Sequence, residues 1–493
     1  MLLNEIFTEA PKIEVKNLMS DSRKISRDGL FFCLKGMVFD GHRFVDQAIE
    51  HGAIAVVHSD TLSSKKEGIV YIQVKDVLKT LNQVAHAFYK KPSSKMDVYG
   101  ITGTNGKSTT ASLIHYLNSQ SELSGYIGTI SIEYANVKRP ALLTTPDAID
   151  IHRIFADMVK AKVKSAAIEV SSIGLEQRRV DSISFDVGIF TNLTHDHLDY
   201  HGNMENYFIA KAKLFELLPK EGLAIINIDD TYGERLIDYT DAKVVTYGIE
   251  RDADFVVNDI VLGPKDSSFT LIDNINDKSY EIATNLVAKF NVLNLTAALI
   301  AVSYKRQIPI ETLIQYCQAI PQIEGRMEVI SSECLFTTIV DFAHTPDGFI
   351  QCFEYAKSIT KPESRIISVF GSAGKRDTKK RQVLGEIADI YCDMIILTEE
   401  DQRNEDVYEI CSQIKRGIKN TNYIIIDDRA NAIKQAISLA NSNDTVLILG
   451  KGDETYLDKE FGKEYYIGDH RAAKQALNEW IKQKEMEENE SIH

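Results

Sequence analysis

A glycine-rich segment at residues 100–109, GITGTNGKST, has the residue types of a loop that binds a nucleoside triphosphate. Gly103 and Gly106 allow the backbone to turn its N–H groups toward phosphate oxygens. Lys107 supplies a positive charge, and Ser108 can offer a hydroxyl to an accompanying Mg²⁺. One glycine of the strict Walker A pattern is replaced by isoleucine, so the alternative is a glycine-rich turn without this function. The apolar strand before the segment and the helix after it favour the phosphate loop.

Further candidate residues follow two apolar stretches downstream. Glu169 ends the strand predicted at Ser165 to Val170, where a phosphate-binding fold keeps the carboxylate that holds the nucleotide's Mg²⁺. A strand-end glutamate that faces solvent is the alternative. A second segment, at 190–202, contains side chains that could ligate metal or cap a turn, namely Asp196, His197, Asp199 and His201. A single histidine is more often a structural residue.

Lys211 is an anomaly within the helix predicted at 203–218. Apolar residues precede it by three and four positions and follow it by three and four positions, so it lies in the middle of the apolar face. Such a lysine must either extend its ammonium to solvent or lose its charge, because burial depresses its pKa. A neutral amine reacts readily with CO₂, and the carbamate would be an oxygen ligand for a second Mg²⁺. The spacing by itself favours extension to solvent.

Length and composition limit the class of protein. A chain of 493 residues exceeds the size of a single core, so we expect three domains. The net charge of −15 and the lack of a basic tract exclude nucleic acid and anionic lipid as main partners. The sequence shows neither a signal peptide nor an apolar span, which predicts a cytoplasmic protein. The scattered cysteines, Cys334 among them, predict reduced structural thiols rather than disulfides or zinc ligands.

Two breaks predict the domain boundaries. The segment KKPSSKMD at 90–97 has the composition of a linker, and a second break lies at 319–332. The predicted domains are therefore 1–97, 98–327 and 328–493. Helical runs are predicted before the second break at Asn294 to Tyr304 and Ile310 to Ala319, and the tail from about Lys482 is predicted to fray into disorder. After the second break, short apolar strands alternate with helical stretches, which predicts an α/β sheet without its own phosphate loop; these strands are Phe336 to Val340, Ile366 to Phe370, Met394 to Leu397, Tyr423 to Ile426 and Val446 to Leu449.

The order of motifs along the chain resembles the Mur ligases. The motifs are GTNGKST, EVSS followed by GL, TNLTHDHLDYHG, AKAKLF, KFNVLN, EGRMEV and VDFAHTPD. SDSR at 20–23 and GMVFDGHRF at 36–44 resemble segments that hold a UDP-sugar in the branch that adds the third residue of the muramoyl peptide. The resemblance covers nearly the whole chain. It implies a three-domain α/β architecture with a central P-loop ATPase domain and a C-terminal Rossmann-like domain.

The resemblance also implies a reaction and its cofactors. ATP and Mg²⁺ would activate a carboxylate of UDP-N-acetylmuramoyl-L-alanyl-D-glutamate as an acyl phosphate, which the amine of an amino acid attacks during synthesis of peptidoglycan precursors. Lys107, Glu169, His197 and carbamylated Lys211 would be the catalytic residues, with Ser108 and Glu169 at one Mg²⁺ and His197 and Lys211 at the other. The implied ATP contacts are Gly103, Thr104, Asn105, Gly106, Lys107, Ser108, Thr109, Asn294, Arg326, Asp341 and His344. The implied contacts to the muramoyl dipeptide are Ser22, Thr144, Thr145, Ser171, Gln177 and Arg179.

The chain departs from the family pattern at several positions. Ile173 replaces a histidine after EVSS, and Ala288 replaces a glycine before the FN pair. In ligases that add meso-diaminopimelate, a motif Asp-Asn-Pro-Arg presents its arginine to the distal carboxylate, and here only the arginine, Arg403, is retained. The residues implied to hold the amino acid are Arg376, Glu400, Asp401, Arg403, Gly450 and Glu454.

The acceptor amino acid stays open at this point. Arg403 favours meso-diaminopimelate, whereas the nearby acidic residues could attract the ammonium of L-lysine if a salt bridge with one of them engages Arg403. A folylpolyglutamate synthetase-like ligase is an alternative that lacks a UDP-binding domain. A nucleotide-binding or UDP-sugar-binding regulatory paralogue without catalysis is another. We expect a monomer that acts on small molecules, without membrane insertion.

Overall fold

The computed structural model describes residues 1–24, 27–36, 39–62, 64–330 and 336–491. Parts of the motif at 36–44 and of the break at 319–332 therefore lie outside the described residues, as does Cys334. The other five cysteines are buried free thiols. Within the described ranges, no helix is both long enough and apolar enough to cross a membrane.

The N-terminal region is built on a small parallel sheet. Strands β1 (Asn17–Met19), β2 (Gly29–Phe32), β3 (Ala53–His58) and β4 (Val70–Gln73) pair in sequence order. Helices α1 (Val45–Glu50) and α2 (Val77–Phe88) accompany them. The side chains of Arg178 and Asp76 form an ion pair at 2.7 Å between the central region and this one.

The central region contains an eleven-stranded sheet with the order β15-β14-β13-β12-β11-β10-β5-β9-β6-β7-β8. Its inner strands are parallel, so their carboxyl ends meet at one edge. The strands are β5 (Asp97–Thr102), β6 (Ser124–Ile127), β7 (Ile132–Tyr134), β8 (Val137–Arg139), β9 (Ser165–Glu169), β10 (Val187–Phe190), β11 (Leu223–Asn227), β12 (Lys243–Gly248), β13 (Phe255–Leu262), β14 (Ser267–Asp273) and β15 (Lys278–Thr284). The helices are α3 (Lys107–Ser119), α4 (Ala148–Lys160), α5 (Ser172–Glu176), α6 (Leu198–His201), α7 (Met204–Glu216), α8 (Thr231–Leu236), α9 (Lys289–Arg306) and α10 (Ile310–Ile314).

The C-terminal region has a six-stranded sheet with the order β16-β17-β21-β18-β19-β20, in which only β16 is antiparallel to its neighbour. A two-stranded hairpin, β22–β23, lies beside it. The strands are β16 (Glu328–Val329), β17 (Thr337–Asp341), β18 (Ile366–Phe370), β19 (Met394–Leu397), β20 (Asn422–Ile425), β21 (Thr445–Leu449), β22 (Tyr456–Lys459) and β23 (Gly462–Tyr465). The helices are α11 (Pro346–Ile359), α12 (Lys379–Tyr391), α13 (Val407–Lys415), α14 (Arg429–Leu439) and α15 (Asp469–Ser491).

Three local expectations need correction. The run predicted at Ile310 to Ala319 is interrupted after α10 and resumes as a short 3₁₀ turn, where the Cys317 carbonyl accepts a hydrogen bond from the Thr284 hydroxyl at 3.1 Å. The tail is helical through Ser491 rather than frayed from Lys482. The strand predicted to end at Val340 continues for one more residue, which places the Asp341 carboxylate at the sheet edge.

Candidate functional site

The phosphate loop connects the carboxyl end of β5, in the middle of the central sheet, to the start of α3. Gly103 and Gly106 have φ values of 152° and 85°, conformations that L side chains rarely adopt. A Cβ atom at Gly106 would collide with the side-chain amide of Asn294, which α9 brings against the loop. Glycine is therefore required both by the turn and by this close approach. Thr109 is buried at the start of α3.

Lys107 bends back over the loop that precedes it. Its ammonium donates to the carbonyl oxygens of Gly103 at 2.9 Å and Thr104 at 2.8 Å. Burial lowers the pKa of Lys107, while the negative charge of Glu169 opposes that shift. The positive charge thus lies within the loop whose N–H groups can donate hydrogen bonds to phosphate oxygens.

Glu169 is fully buried at the end of β9, so the alternative of a solvent-facing glutamate is wrong. Its Oε1 accepts the Tyr126 hydroxyl at 2.6 Å and the backbone N–H of Thr129 at 2.9 Å. Its Oε2 accepts the Thr129 hydroxyl at 3.2 Å. These donors fix the carboxylate at the end of β9, the strand that pairs with β5. Ser108, at the start of α3, is also buried.

Lys211 does not extend to solvent, which corrects the expectation drawn from its spacing. The side chain is buried, with 1% of the residue exposed, and its Nζ donates to the Gly103 carbonyl at 2.6 Å. Burial, reinforced by the charge of Lys107, holds the pKa of Lys211 well below its usual range. Lys213 instead lies at the surface, where it pairs with Glu176 at 2.6 Å.

His197 immediately precedes α6 as its N-cap residue, with a left-handed φ of 53°. Its Nε2 lies 3.4 Å from an Asp196 carboxylate oxygen, and its ring meets the Tyr207 ring edge-on at 6.2 Å. The same Tyr207 ring lies 4.6 Å from the Lys211 Nζ, so His197 and Lys211 flank one aromatic side chain. Burial lowers the pKa of His197. His201 is structural, because its Nε2 bonds the buried Ser172 hydroxyl at 3.0 Å.

Asp196 connects this centre to the C-terminal region electrostatically. Burial opposes its ionisation, but the positive charges of His197, His344 and Lys380 lower the pKa of Asp196 to about 2. The Lys380 ammonium donates to the His344 carbonyl at 2.7 Å. Burial lowers the pKa of His344 to about 4.

Two further residues expected to contact ATP, Arg326 and Asp341, have partners of their own in the C-terminal region and its connection to the central region. Arg326 pairs with Asp453 at 2.8 Å and stacks over the Phe342 ring at 4.5 Å. The carboxylate of Asp341 accepts the backbone N–H groups of Met327 and Ala343, both at 2.7 Å. Asp341 therefore holds the connection between the central and C-terminal regions in its present conformation.

The residues expected to hold the muramoyl dipeptide form one connected group beside Glu169, except for Ser22. The Thr145 hydroxyl donates to the Glu169 carbonyl at 2.9 Å and lies 3.0 Å from the Ser171 hydroxyl. Arg179 donates to the Thr145 carbonyl at 2.7 Å and to Gln177 at 2.6 Å. Thr144 joins the group by accepting a hydrogen bond from Thr129 at 3.0 Å. Ser22 remains in the N-terminal region, where it donates to Gln47 at 2.8 Å.

In the candidate amino-acid pocket, Arg403 forms an ion pair that was not anticipated. A salt bridge with Glu400, Asp401 or Glu454 was the alternative considered from the sequence, but Arg403 Nε pairs with Asp458 of β22 at 3.2 Å. Its Nη1 donates to the Gly374 carbonyl at 2.6 Å.

A single lysine, Lys451, pairs with two of the acidic residues instead. Its ammonium lies 2.8 Å from Asp401 and is paired with Glu454, and the side chain is almost completely buried. Burial raises the pKa of Glu400, which also favours a neutral carboxyl. Gly450 is necessary here, because at its φ of 115° a Cβ atom would lie 2.7 Å from Glu400 Oε2. Arg376 is exposed, with Nη1 3.7 Å from Asp199 of the central region.

Comparison with known proteins gives the same family for each part of the chain. Residues 14–89 match "Mur ligase family, catalytic domain", residues 101–302 match "Mur ligase middle domain", and residues 325–452 match "Mur ligase, glutamate ligase domain". The chain belongs to the Mur ligase family. Members are ATP-dependent ligases that form amide bonds, so the prediction of such an enzyme is confirmed.

Two curated relatives of this Mur ligase carry the name UDP-N-acetylmuramoyl-L-alanyl-D-glutamate--2,6-diaminopimelate ligase. The protein of Alkaliphilus metalliredigens is 39% identical over 92% of both chains, and that of Aquifex aeolicus is 40% identical over 94% of both. A solved structure with the same name matches at 28% identity and a TM-score of 0.69, covering 98% of this chain and 99% of the other. A folylpolyglutamate synthase from Mycobacterium tuberculosis, at 17% identity and a TM-score of 0.65, shares the fold.

Sequence reasoning missed several polar residues of this Mur ligase. Asp347, Lys380, Lys451, Asp453 and Asp458 were not singled out, although each contacts a residue that was. Lys451 and Asp453 lie between the noted residues Gly450 and Glu454, so their position was the available signal. Asp458 lies on the β22–β23 hairpin, which no motif predicted.

Proposed function

We propose that this Mur ligase joins meso-diaminopimelate to UDP-N-acetylmuramoyl-L-alanyl-D-glutamate. The names of the relatives, which span nearly the same length, support the muramoyl dipeptide and the diaminopimelate. The observation that carries the chemistry is the convergence of Lys107 and Lys211 on one loop carbonyl, that of Gly103. Peptidoglycan precursor synthesis and a cytoplasmic location are consistent with this reaction. The regions 1–97, 98–327 and 328–493 would bind the UDP-sugar, ATP and the amino acid.

The mechanism requires an activated carboxylate, since a free carboxylate is a poor electrophile for an amine. Transfer of the γ-phosphate of ATP to a carboxylate of the muramoyl dipeptide gives an acyl phosphate and ADP. The amine attacks the acyl carbon, the C–N bond forms, and phosphate leaves with the C–O bond electrons. Lys107 and the loop N–H groups hold the phosphates, and the neighbouring Thr145, Ser171 and Arg179 hold the dipeptide next to them.

The chemical types of the donor atoms suit two Mg²⁺ positions. Ser108 and Glu169 supply the oxygen ligands that Mg²⁺ prefers, and Mg²⁺ would neutralise charge on the phosphates. The Lys211 amine becomes an oxygen ligand when its nitrogen bonds the carbon of CO₂ and releases one proton. Its depressed pKa supplies the neutral amine that this reaction needs, and the carbamate would give Lys107 a negative neighbour. His197, whose ring contacts the same Tyr207 side chain, would be its companion ligand.

The charges of the amino-acid pocket favour an acceptor with a distal carboxylate. Lys451 already pairs with both Asp401 and Glu454, so the ammonium of a lysine substrate would have to compete with Lys451 for these carboxylates. Arg403 uses Nε and Nη1 for its contacts within the described residues, which leaves Nη2 for a substrate carboxylate. This arrangement supports diaminopimelate over lysine.

Phosphate release by the purified protein tests the proposal. We expect release only when the muramoyl dipeptide and diaminopimelate are both present, with a product mass equal to their condensation. L-Lysine, L-glutamate and a reduced folate with glutamate serve as comparisons. Preference for lysine would overturn the acceptor, and glutamate addition to the folate would overturn the substrate class.

A further inference from the structure

Asn105 of the phosphate loop forms a side-chain hydrogen bond with the C-terminal region. Its Nδ2 donates to Asp347 Oδ2 at 2.9 Å, across a sequence separation of 242 residues. Asp347 lies in the first turn of α11, beside the C-terminal sheet. The phosphate loop belongs to the central sheet, whereas α11 lies beside the C-terminal sheet. The hydrogen bond therefore joins these two regions.

The backbone of Asn105 is fixed independently by the central region. Its N–H donates to Asn192 Oδ1 at 2.9 Å, and its carbonyl accepts the Thr191 hydroxyl at 2.6 Å. The side chain can thus bond Asp347 without altering the loop backbone. Both side chains are partly buried, so water competes less with their hydrogen bond than at an exposed site.

Asp347 is connected rigidly to residues expected at the nucleotide. Asp341 ends β17 and His344 follows it, so both lie just before α11 in the same short segment. Thr345 caps the helix by accepting the Gly348 N–H at 3.1 Å, which fixes the first turn and Asp347 with it. A shift of Asp347 relative to Asn105 would therefore move His344 relative to the phosphate loop.

We propose that Asp347 is a positioning residue that aligns the C-terminal region with the phosphate loop through Asn105. It contributes neither a phosphate contact nor a metal ligand; its carboxylate sets where the acceptor pocket lies relative to the acyl phosphate. The inference rests on the proposed use of this loop for ATP. It predicts a larger effect on turnover than on nucleotide binding.

Kinetics of Asp347→Ala, Asn105→Ala and the double variant test this role. We expect Asp347→Ala to lower kcat about ten-fold or more while its dissociation constant for ATP rises by a smaller factor than kcat falls, because the bond to a charged group that is lost is not itself a phosphate contact. The kcat of the double variant should be no lower than that of the more impaired single variant. Asp347→Asn retains an acceptor oxygen and should recover most of the activity. Glu354→Ala, on an exposed position of the same helix, is the matched control and should match the wild type.

The outcomes separate this inference from the proposed function. A wild-type protein without substrate-dependent phosphate release contradicts the proposed function itself. The positioning role is overturned if the wild type is active and Asp347→Ala has the same kcat. It is also overturned if the losses of kcat in the two single variants multiply in the double variant. Equal loss in Asp347→Asn and Asp347→Ala, together with a lowered melting temperature in both, shows a structural role and also overturns it.

Discussion

The phosphate-loop centre and the amino-acid pocket use their charges in different ways. At the centre, Lys107 and Lys211 approach one backbone carbonyl, and like charges close together destabilise each other. In the pocket, Lys451 and Arg403 are paired with carboxylates. The centre therefore favours an anionic substrate or a carbamate, whereas both cations of the pocket already have anionic partners. Substitutions should then have larger effects at the centre than in the pocket.

Lys107→Ala should produce the largest effect. It removes the charge that faces the phosphates, and loss of one such group typically lowers kcat about 10²–10³-fold. The melting temperature should change little, because Lys107 bonds only to carbonyls of its own loop among the described residues. Substrate-dependent phosphate release measures the effect, and near-normal release would refute the role of the loop in catalysis.

Lys211→Ala should be nearly inactive as well, but for a different reason. If the carbamate supplies an oxygen ligand, added short-chain carboxylates should restore part of the activity by occupying the vacant position. Lys213→Ala, which removes a surface lysine from the same helix, is the control and should keep full activity. Inactivity without rescue would leave the carbamate unsupported, and full activity would exclude it.

The sequence was informative where chemistry is local and less so where it depends on distant partners. The phosphate loop, the strand before it and the helix after it are contiguous in the sequence, so residue types and their order were enough to predict them. Periodicity placed Lys211 on an apolar face, but it did not show that the buried amine would donate a hydrogen bond to the Gly103 carbonyl. Asp458 pairs with Arg403 only because the β22–β23 hairpin folds against that loop, a contact that no local pattern encodes.

Arg403→Ala tests whether Arg403 recognises a substrate carboxylate although it is already paired with Asp458. Removing a charged contact to substrate costs about 2–5 kcal/mol, so use of diaminopimelate should fall tens-fold or more while that of L-lysine changes little. The measurement is kcat/KM for both amino acids. Asp458→Asn, which releases Arg403 from its ion pair, should have a smaller effect on the same ratio. A wild-type preference for lysine that persists in Arg403→Ala would contradict this interpretation of the pocket.

His152→Phe should have the smallest effect on activity, since His152 lies on α4 and faces His86 of α2, with ring centroids 5.2 Å apart, outside both sites. Burial lowers the pKa of His152 to about 3, from 6.5 in an unfolded chain. Between these values the unfolded chain binds more protons than the folded one, so the free energy of unfolding decreases as pH falls below about 6.5, by up to about 1.4 kcal/mol per pH unit.

The variant cannot bind that proton, and its stability should therefore fall less steeply between pH 6.5 and 5. Denaturant titrations across this range, with kcat at neutral pH as the control, measure the difference. An unchanged slope would mean that other groups dominate the acid sensitivity of the fold, and a loss of kcat would extend the functional region beyond the phosphate-loop centre and the amino-acid pocket.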